Sequence, residues 1–416
     1  MRSDDVADDD ETGRPAAPDA ETTADGGAPD DSIPRPLDGI RVVELAQWIA
    51  GPSAAGLMAD WGADVVKVEA PSGDPQRGIF KSLGIEKELP NPTFAQDNRG
   101  KRSVVLDLGH DDARATFDRL LQGADVFITN VRPDALQRLD LDPADVLARH
   151  PRLVVASQTG YGSVGPERNT AGYDIGAFVA RSGMARINRP KDESPIFLRG
   201  GIGDHTTGIS TCAGVLAALV ERGRTGRGRL VETSLFQTGL YTMSADIGTQ
   251  LTLGRLGSMR PRESSKTPMV NCYRAADDRW FYLIGVEAAR HWPNLCRAVD
   301  HEHLIDDDRF NSASKIAENR VELIAMLDEI FASEDLEHWA ARFAEADVWW
   351  APCQTAAEVA VDPQALALES FHDTTDGDTT VTTVASPVRF DGVSLPPAGP
   401  VPQLGEHTDA VLDELQ

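Results

Sequence analysis

Five short runs of branched apolar residues punctuate the first half of the chain. They are Arg41-Val-Val-Glu-Leu45, Asp64-Val-Val-Lys-Val68, Ser103-Val-Val-Leu106, Asp125-Val-Phe-Ile128 and Leu153-Val-Val-Ala156. Each has strand length, and branched side chains suit a pleated surface. Between several of them the spacing turns helical, as in Ala54–Trp61 and Ala113–Leu121, with Gly62 and Gly123 marking the ends. Strand–helix alternation with near-continuous apolar strands predicts an α/β fold: an open Rossmann-like parallel sheet covered on both faces. A long helix is expected over about Thr206–Glu221. The basic, glycine-rich stretch Arg222–Arg229 then turns into Leu230–Leu235, which continues the core.

From about Pro268 the pattern changes. Asn271–Val286 reads as strands around a turn at Asp277-Asp278, and helical spacing follows in His291–Val299, Ala317–Phe331 and Leu336–Ala346. This predicts a smaller α+β domain. Short strands after Thr375 and a helix over His407–Leu415 then return the chain to the large domain. The expected organisation is an acidic tail (1–35), a large α/β domain (36–225), a linker and core helix (226–265), the small domain (266–375) and the C-terminal return (376–416). The tail has almost no large apolar residues to offset the entropy of ordering and is expected to be disordered.

Charge narrows the function. The 416 residues carry 40 Lys+Arg against 66 Asp+Glu, a net −26. That balance disfavours nucleic acid and anionic membranes as partners, and reads as a solvated coat suited to high salt. Four scattered cysteines form no CxxC pair and the histidines show no metal spacing, so neither a metal site nor a disulfide framework is expected. No signal-like or membrane-spanning run is present, and the cytoplasm is the expected location. The residues after the first strand, Ala46-Gln-Trp-Ile-Ala-Gly-Pro52, lack GxGxxG, so a nicotinamide site is not supported.

Several segments resemble one family. They include Pro36-Leu-Asp-Gly-Ile-Arg-Val-Val-Glu-Leu45, Ala50-Gly-Pro52, Asp60-Trp-Gly-Ala-Asp-Val-Val-Lys-Val-Glu69, Asn98-Arg-Gly-Lys-Arg-Ser103, Gly160-Tyr-Gly162, Gly203-Asp204, Thr225-Gly-Arg-Gly228 and Leu404-Gly-Glu-His-Thr408. In that order, from about Pro36 to the C-terminus, they resemble the class III coenzyme A transferases. The resemblance implies an interlocked homodimer with active sites between protomers. It also implies that an aspartate attacks an acyl-CoA, giving an acyl anhydride and then an enzyme–CoA thioester, before the acceptor acid reverses the steps. CoA thioesters would be substrates, with no resident cofactor. The expected donor is succinyl-CoA, and the expected acceptor a short carboxylic acid such as mesaconate or another dicarboxylate.

Three aspartates are candidates for the covalent role: Asp174, Asp192 and Asp204. Counting back from the Gly-Asp motif as the resemblance directs favours Asp192, and Asp204 also reads as a helix N-cap. By the same resemblance, CoA contacts fall on Trp48, Ile49, Ala50, Leu106, Asn130 and Arg138, with Thr159 and Tyr161 after the next strand. Arg77, Arg99, Lys101 and Arg102 would supply positive charge for phosphates. Arg181, Arg186, Arg189 and Arg199 could pair with a second carboxylate. Related 2-methylacyl-CoA racemases place a histidine where Tyr173 stands, which weighs against racemase chemistry. A catalytically silent CoA-binding protein is the alternative of another class.

Overall fold

The structure, a computed structural model, describes residues 34–82, 84 and 90–416. Most of the segment expected to be disordered, Met1 to Ile33, lies outside the described residues. The five apolar runs form strands within one to three residues of their expected ends: β1 (Arg41–Leu45), β2 (Asp64–Glu69), β3 (Arg102–Val105), β4 (Val126–Thr129) and β5 (Val154–Thr159). Leu230–Ser234 joins them as β6. All neighbours pair in parallel in the order β3-β2-β1-β4-β5-β6. That order reverses direction between β1 and β4, and a crevice opens at such a point outside the carboxyl ends of the strands.

Helices cover both faces. After β1, α1 (Ala50–Asp60) starts four residues before the expected helix, and ten of its eleven residues are buried. Its first turn, Ala-Gly-Pro-Ser, lacks the large apolar residues by which a pattern search finds a helix. The small residues are needed for close approach. A Cβ on Gly56 would lie 2.7 Å from the carbonyl of Asp97 in α2 (Pro92–Asn98). On the other face, α3 (Asp111–Gln122) buries Phe117, Leu120 and Leu121 against Val43, Val66, Phe127 and Val155. The long helix α4 (Ile202–Thr225) packs on α1, and a Cβ on its Gly208 would meet Ser53 Oγ at 2.1 Å. It ends at Gly226 with φ 71°, a left-handed cap, so the glycine-rich basic turn has a structural task.

The smaller part holds an antiparallel sheet, β7 (Val270–Arg274), β8 (Trp280–Ile284) and β9 (Trp350–Pro352), around an aromatic core. Phe281 and Phe331 meet edge-on at 5.0 Å, with Tyr273, Trp339 and Phe343 around them. The chain returns through a hairpin, β10 (Phe371–Asp376) and β11 (Thr379–Val384), whose end bonds Gln96 of α2. It then reaches the outer edge of the large sheet, where His407 donates its N–H to Ser103 O at 2.9 Å and Thr408 Oγ1 accepts from Val105 N at 3.1 Å. The β3 edge is thus covered.

Charged positions inside the apolar runs form a buried chain of ion pairs. Glu44 and Lys67 are register partners on β1 and β2. Lys67 Nζ lies 2.8 Å from Glu44 Oε1 and 2.9 Å from Asp74 Oδ2, and donates to Ala46 O at 3.1 Å. Lys101 Nζ takes the other Glu44 oxygen at 2.6 Å and bonds Pro52 O and Asn98 Oδ1. The two cations and two carboxylates balance, as buried charges must. Burial opposes the charge on Glu44, but the two lysines hold its carboxyl below the ordinary range. Glu69 is likewise lowered, to about 2: burial opposes, but hydrogen bonds from Arg77 and Ser103 and the charges of Lys67 and Arg77 prevail.

Replacing Lys67 by Met is expected to destabilise the fold by about 3–5 kcal/mol in urea unfolding, because Asp74 is then buried without a cation while Glu44 keeps only Lys101. The lowered carboxyls contribute stability that is fully present above their ordinary 4.5. It should be lost as pH falls toward 2, which acid titration followed by circular dichroism would read.

Candidate active site

At the switch point lies a cleft of about 340 Å³, walled by the residues after β1, β4 and β5 and closed by Tyr173, Leu235 and Asp204. Its near wall is a strained turn. Trp48 has φ 66°, a left-handed conformation that costs a bulky residue of order 1–3 kcal/mol. The turn is held by three hydrogen bonds, from Asp74 and Asn130. Trp48 N donates to Asp74 Oδ1 at 3.0 Å. Gln47 N donates to Asn130 Oδ1 at 2.9 Å, and Asn130 Nδ2 donates back to Gln47 O at 2.6 Å. The Trp48 ring then meets Tyr173 edge-on at 5.8 Å. Asp74 is itself fixed by Lys67, so the buried charge chain reaches the cleft wall.

Two aspartates come together at the start of α4. Asp174 is buried and caps the wide turn Ile175–Ala180, accepting from Ile175 N and Gly201 N, each at 2.7 Å. Asp204 sits three residues beyond the N-cap, Gly201, whose φ of 101° suits glycine alone. Asp204 is therefore not the cap, a correction to one expectation. The helix signal begins at Thr206, and nothing before it marks a left-handed glycine as the boundary. Burial, then the charge of Asp174, raises the Asp204 carboxyl to about 7. Asp97 adds to this, and His205 opposes it. His205 bridges Gly201 O at 2.9 Å and Asp97 Oδ1 at 3.1 Å. Burial opposes its protonation, but the bond and charge of Asp97 raise its pKa.

The other expected residues divide. Trp48, Ala50, Asn130 and Thr159 line the cleft. Leu106 lines an adjoining cavity of about 250 Å³ that shares Gln47 and Val131 with the cleft. Ile49 flanks Gly201, where an added Cβ would lie 3.7 Å from its Cδ1. Tyr161 packs beside Phe236 under the Arg181 guanidinium, and Arg181 pairs with Glu167. Arg138 ends the short helix Pro133–Arg138 and is absent from the lining of both cavities. The four residues expected to form a basic patch are committed to internal carboxylates: Arg77 to Glu69, Arg99 to Asp60, Lys101 to Glu44, and Arg102 to Asp64 and Glu414. Linear sequence shows a run of cations but not the acids folded against them.

Asp192 does not line the cleft. It is exposed on a loop facing a separate pocket with Arg260 and Lys266. Two arginines that the sequence reading passed over do line the cleft, Arg132 and Arg168, and neither has an ion pair among the described residues. Arg132 follows the end of β4, where the crevice of such a sheet opens, so its position was legible. Arg168 lies in an irregular loop with no signal. Asp174→Asn should keep its contact with Gly201 N and lower the Asp204 midpoint below 7, because the like charge is gone. Carbon-13 titration of the Asp204 carboxyl would show this.

The sequence model of CoA-transferase family III matches residues 37–408. An (R)-2-hydroxy-4-methylpentanoate CoA-transferase of Clostridioides difficile is 33% identical over 91% of this chain and 95% of that protein. A succinyl-CoA:mesaconate CoA-transferase of Haloarcula hispanica is 32% identical over 91% and 96%. Among solved structures, a CAIB/BAIF family protein from Brucella suis superposes with a TM-score of 0.81 at 29% identity, covering 92% of this chain and all of that one.

Proposed function

The chain belongs to CoA-transferase family III, and from that premise we propose that it carries CoA from succinyl-CoA to a short carboxylic acid, mesaconate or another dicarboxylate, with Asp204 as the covalent carrier. One observation carries this reading. Of the three candidate aspartates, Asp204 alone lines the cleft at the sheet's switch point, with Trp48, Asn130 and Thr159 around it. The covalent role therefore moves from Asp192 to Asp204.

The steps balance without net proton transfer. An Asp204 carboxylate oxygen attacks the thioester carbonyl, the CoA thiolate leaves, and a mixed anhydride forms. The thiolate then attacks the Asp204 carbonyl, releasing the donor acid and leaving an aspartyl–CoA thioester. The acceptor carboxylate attacks that thioester, and the returning thiolate takes the acceptor's acyl group and frees Asp204. The first turn of α4 favours an anionic Asp204 against the neighbouring Asp174. A carboxyl poised near 7 is ionised in a useful fraction and, once acylated, removes a repulsive charge from the site. Arg132 and Arg168 are positioned to meet substrate phosphates or a distal carboxylate.

A homodimer fits the surface. The helix α5 (Ser244–Leu253) buries none of its residues in a single chain, and Leu251 is 80% exposed. A ten-residue helix without tertiary cover is marginal in water. A second copy covering it agrees with interlocked protomers. No described helix is long and apolar enough to cross a membrane, and a cytoplasmic enzyme adapted to salt is the reading we adopt.

The test is chemical trapping in concentrated potassium chloride. With succinyl-CoA and hydroxylamine, mass spectrometry should find the adduct on Asp204. Asp204→Asn should lose the adduct and about 10⁴-fold or more in turnover. An adduct on Asp192 or Asp174 would overturn the assignment of Asp204. No adduct, together with exchange of the substrate α-proton into deuterated solvent, would overturn the transfer mechanism. Comparing mesaconate with 2-hydroxy-4-methylpentanoate as acceptors decides between the activities named for the two relatives.

A further inference from the structure

Arg99 and Arg189 are the two arginines buried among the described residues, 3% and 6% exposed. Their surroundings differ in kind. Arg99 presents its Nε–Nη2 edge to Asp60, at 3.3 and 2.7 Å. The half-buried Arg77 and Arg102 do the same, to Glu69 at 2.8 and 2.7 Å and to Asp64 at 2.9 and 2.7 Å. In these three arginines that edge takes a carboxylate in two-pronged fashion. At Arg189 it takes nothing. Nη1 donates to Pro190 O and Lys191 O, each at 2.6 Å, which fixes the plane of the guanidinium. Nε is buried with no partner, Nη2 makes no hydrogen bond among the described residues, and no acid lies in ion-pair range.

The side chain lines a small pocket of about 170 Å³ together with Arg186 and Lys191. The wall opposite is the segment 256–259, tied to the arginine's own loop by a parallel bridge between Pro190 and Met259. Lys191 also faces the adjoining pocket, where Arg260 and Lys266 stand. None of these five cations has an ion pair among the described residues, in a chain of net charge −26. Asp192 and Glu193 in the same wall leave the cluster positive. A buried cation without a counter-ion is costly, and an edge held flat and empty matches the geometry of a carboxylate or phosphate group.

We propose that Arg189, with Arg186 and Lys191, forms a binding site for a small oxyanion, the carboxylate of a free acid or the phosphate of a larger ligand, seated on the Nε–Nη2 edge. The site stands whichever aspartate is the nucleophile, since it rests on none of them. Carbonyl contacts from Pro190 and Lys191 orient the guanidinium, Lys191 and Arg186 raise the local potential, and the bridge to Met259 keeps the pocket walls together.

The experiment is calorimetric titration of the full-length protein in low-chloride buffer with succinate and, separately, inorganic phosphate. Saturable binding of at least one is expected, unchanged in Asp204→Asn. Arg189→Lys keeps the charge but loses the flat edge, and should weaken binding about tenfold or more. Arg189→Met should remove one anion site per chain, leaving any binding at the cleft arginines, with the urea midpoint at or above that of the parent, because an unpaired buried charge has been removed. Stronger binding of succinate identifies a free acid as the ligand, and stronger binding of phosphate a phosphorylated one. Failure of both anions to bind, or equal binding by Arg189→Met, overturns the site. A fall in stability of Arg189→Met that depends on protein concentration also overturns it, since a carboxylate of a second copy then occupies the edge.

Discussion

Lys67 joins the middle of the large sheet to the wall of the cleft. Its ammonium touches Glu44 across the β1–β2 pair, the carbonyl of Ala46 at the end of β1, and Asp74 in the following loop. Asp74 in turn accepts the amide of Trp48, the residue held at positive φ. A strained turn persists only where its surroundings over-determine it. Here the surroundings are charges that no water can relax, backed by Lys101 on the far oxygen of Glu44. The chain also bonds Pro52 O and Asn98, so α1 and α2 are placed by the same network.

Small residues do the rest of the positioning. Gly56 lets α1 meet the α2 backbone, and Gly208 lets α4 meet Ser53. The start of α4 is thereby brought up to the carboxyl ends of β1 and β4. Gly201 turns the chain there in a left-handed conformation while its amide is held by Asp174. Asp204 thus enters the cleft on a rigid helix, with a second carboxylate buried behind it. Two like charges in a half-dry site keep one of them near neutrality. This is the electrostatic condition that the proposed carrier needs, an anion when it attacks and a neutral anhydride or thioester afterward.

The acidic surface and the cationic interior are separate systems. Arg77, Arg99, Lys101 and Arg102 are consumed by the chain's own acids and lock the sheet edge to α1 and to Glu414 near the C-terminus. Among the cations without an ion pair in the described residues, Arg132 and Arg168 line the cleft, and Arg186, Arg189 and Lys191 line one small pocket. In a chain with so many carboxylates, unpaired cations that share a pocket wall suit an external anion.

The sequence by itself determined the strands, most of the helices and the class of fold, because branched apolar runs and 3.6-residue spacing are local signals. It also determined the family, through motifs spread over most of the chain, and the positions of Trp48, Ala50, Asn130 and Thr159 after their strands. It did not reveal β9, a three-residue strand made by pairing with β8, nor the first turn of α1, which is built of small residues. Only the tertiary structure decided which aspartate faces the cleft. Asp192 and Asp204 are both loop-adjacent acids by local reading, and what separates them is α4 carrying one into the crevice while the other stays on an exposed loop. It also decided which cations are free, since an arginine's partner is set by what folds against it: Asp60 lies 39 residues from Arg99 along the chain and at hydrogen-bond distance in space.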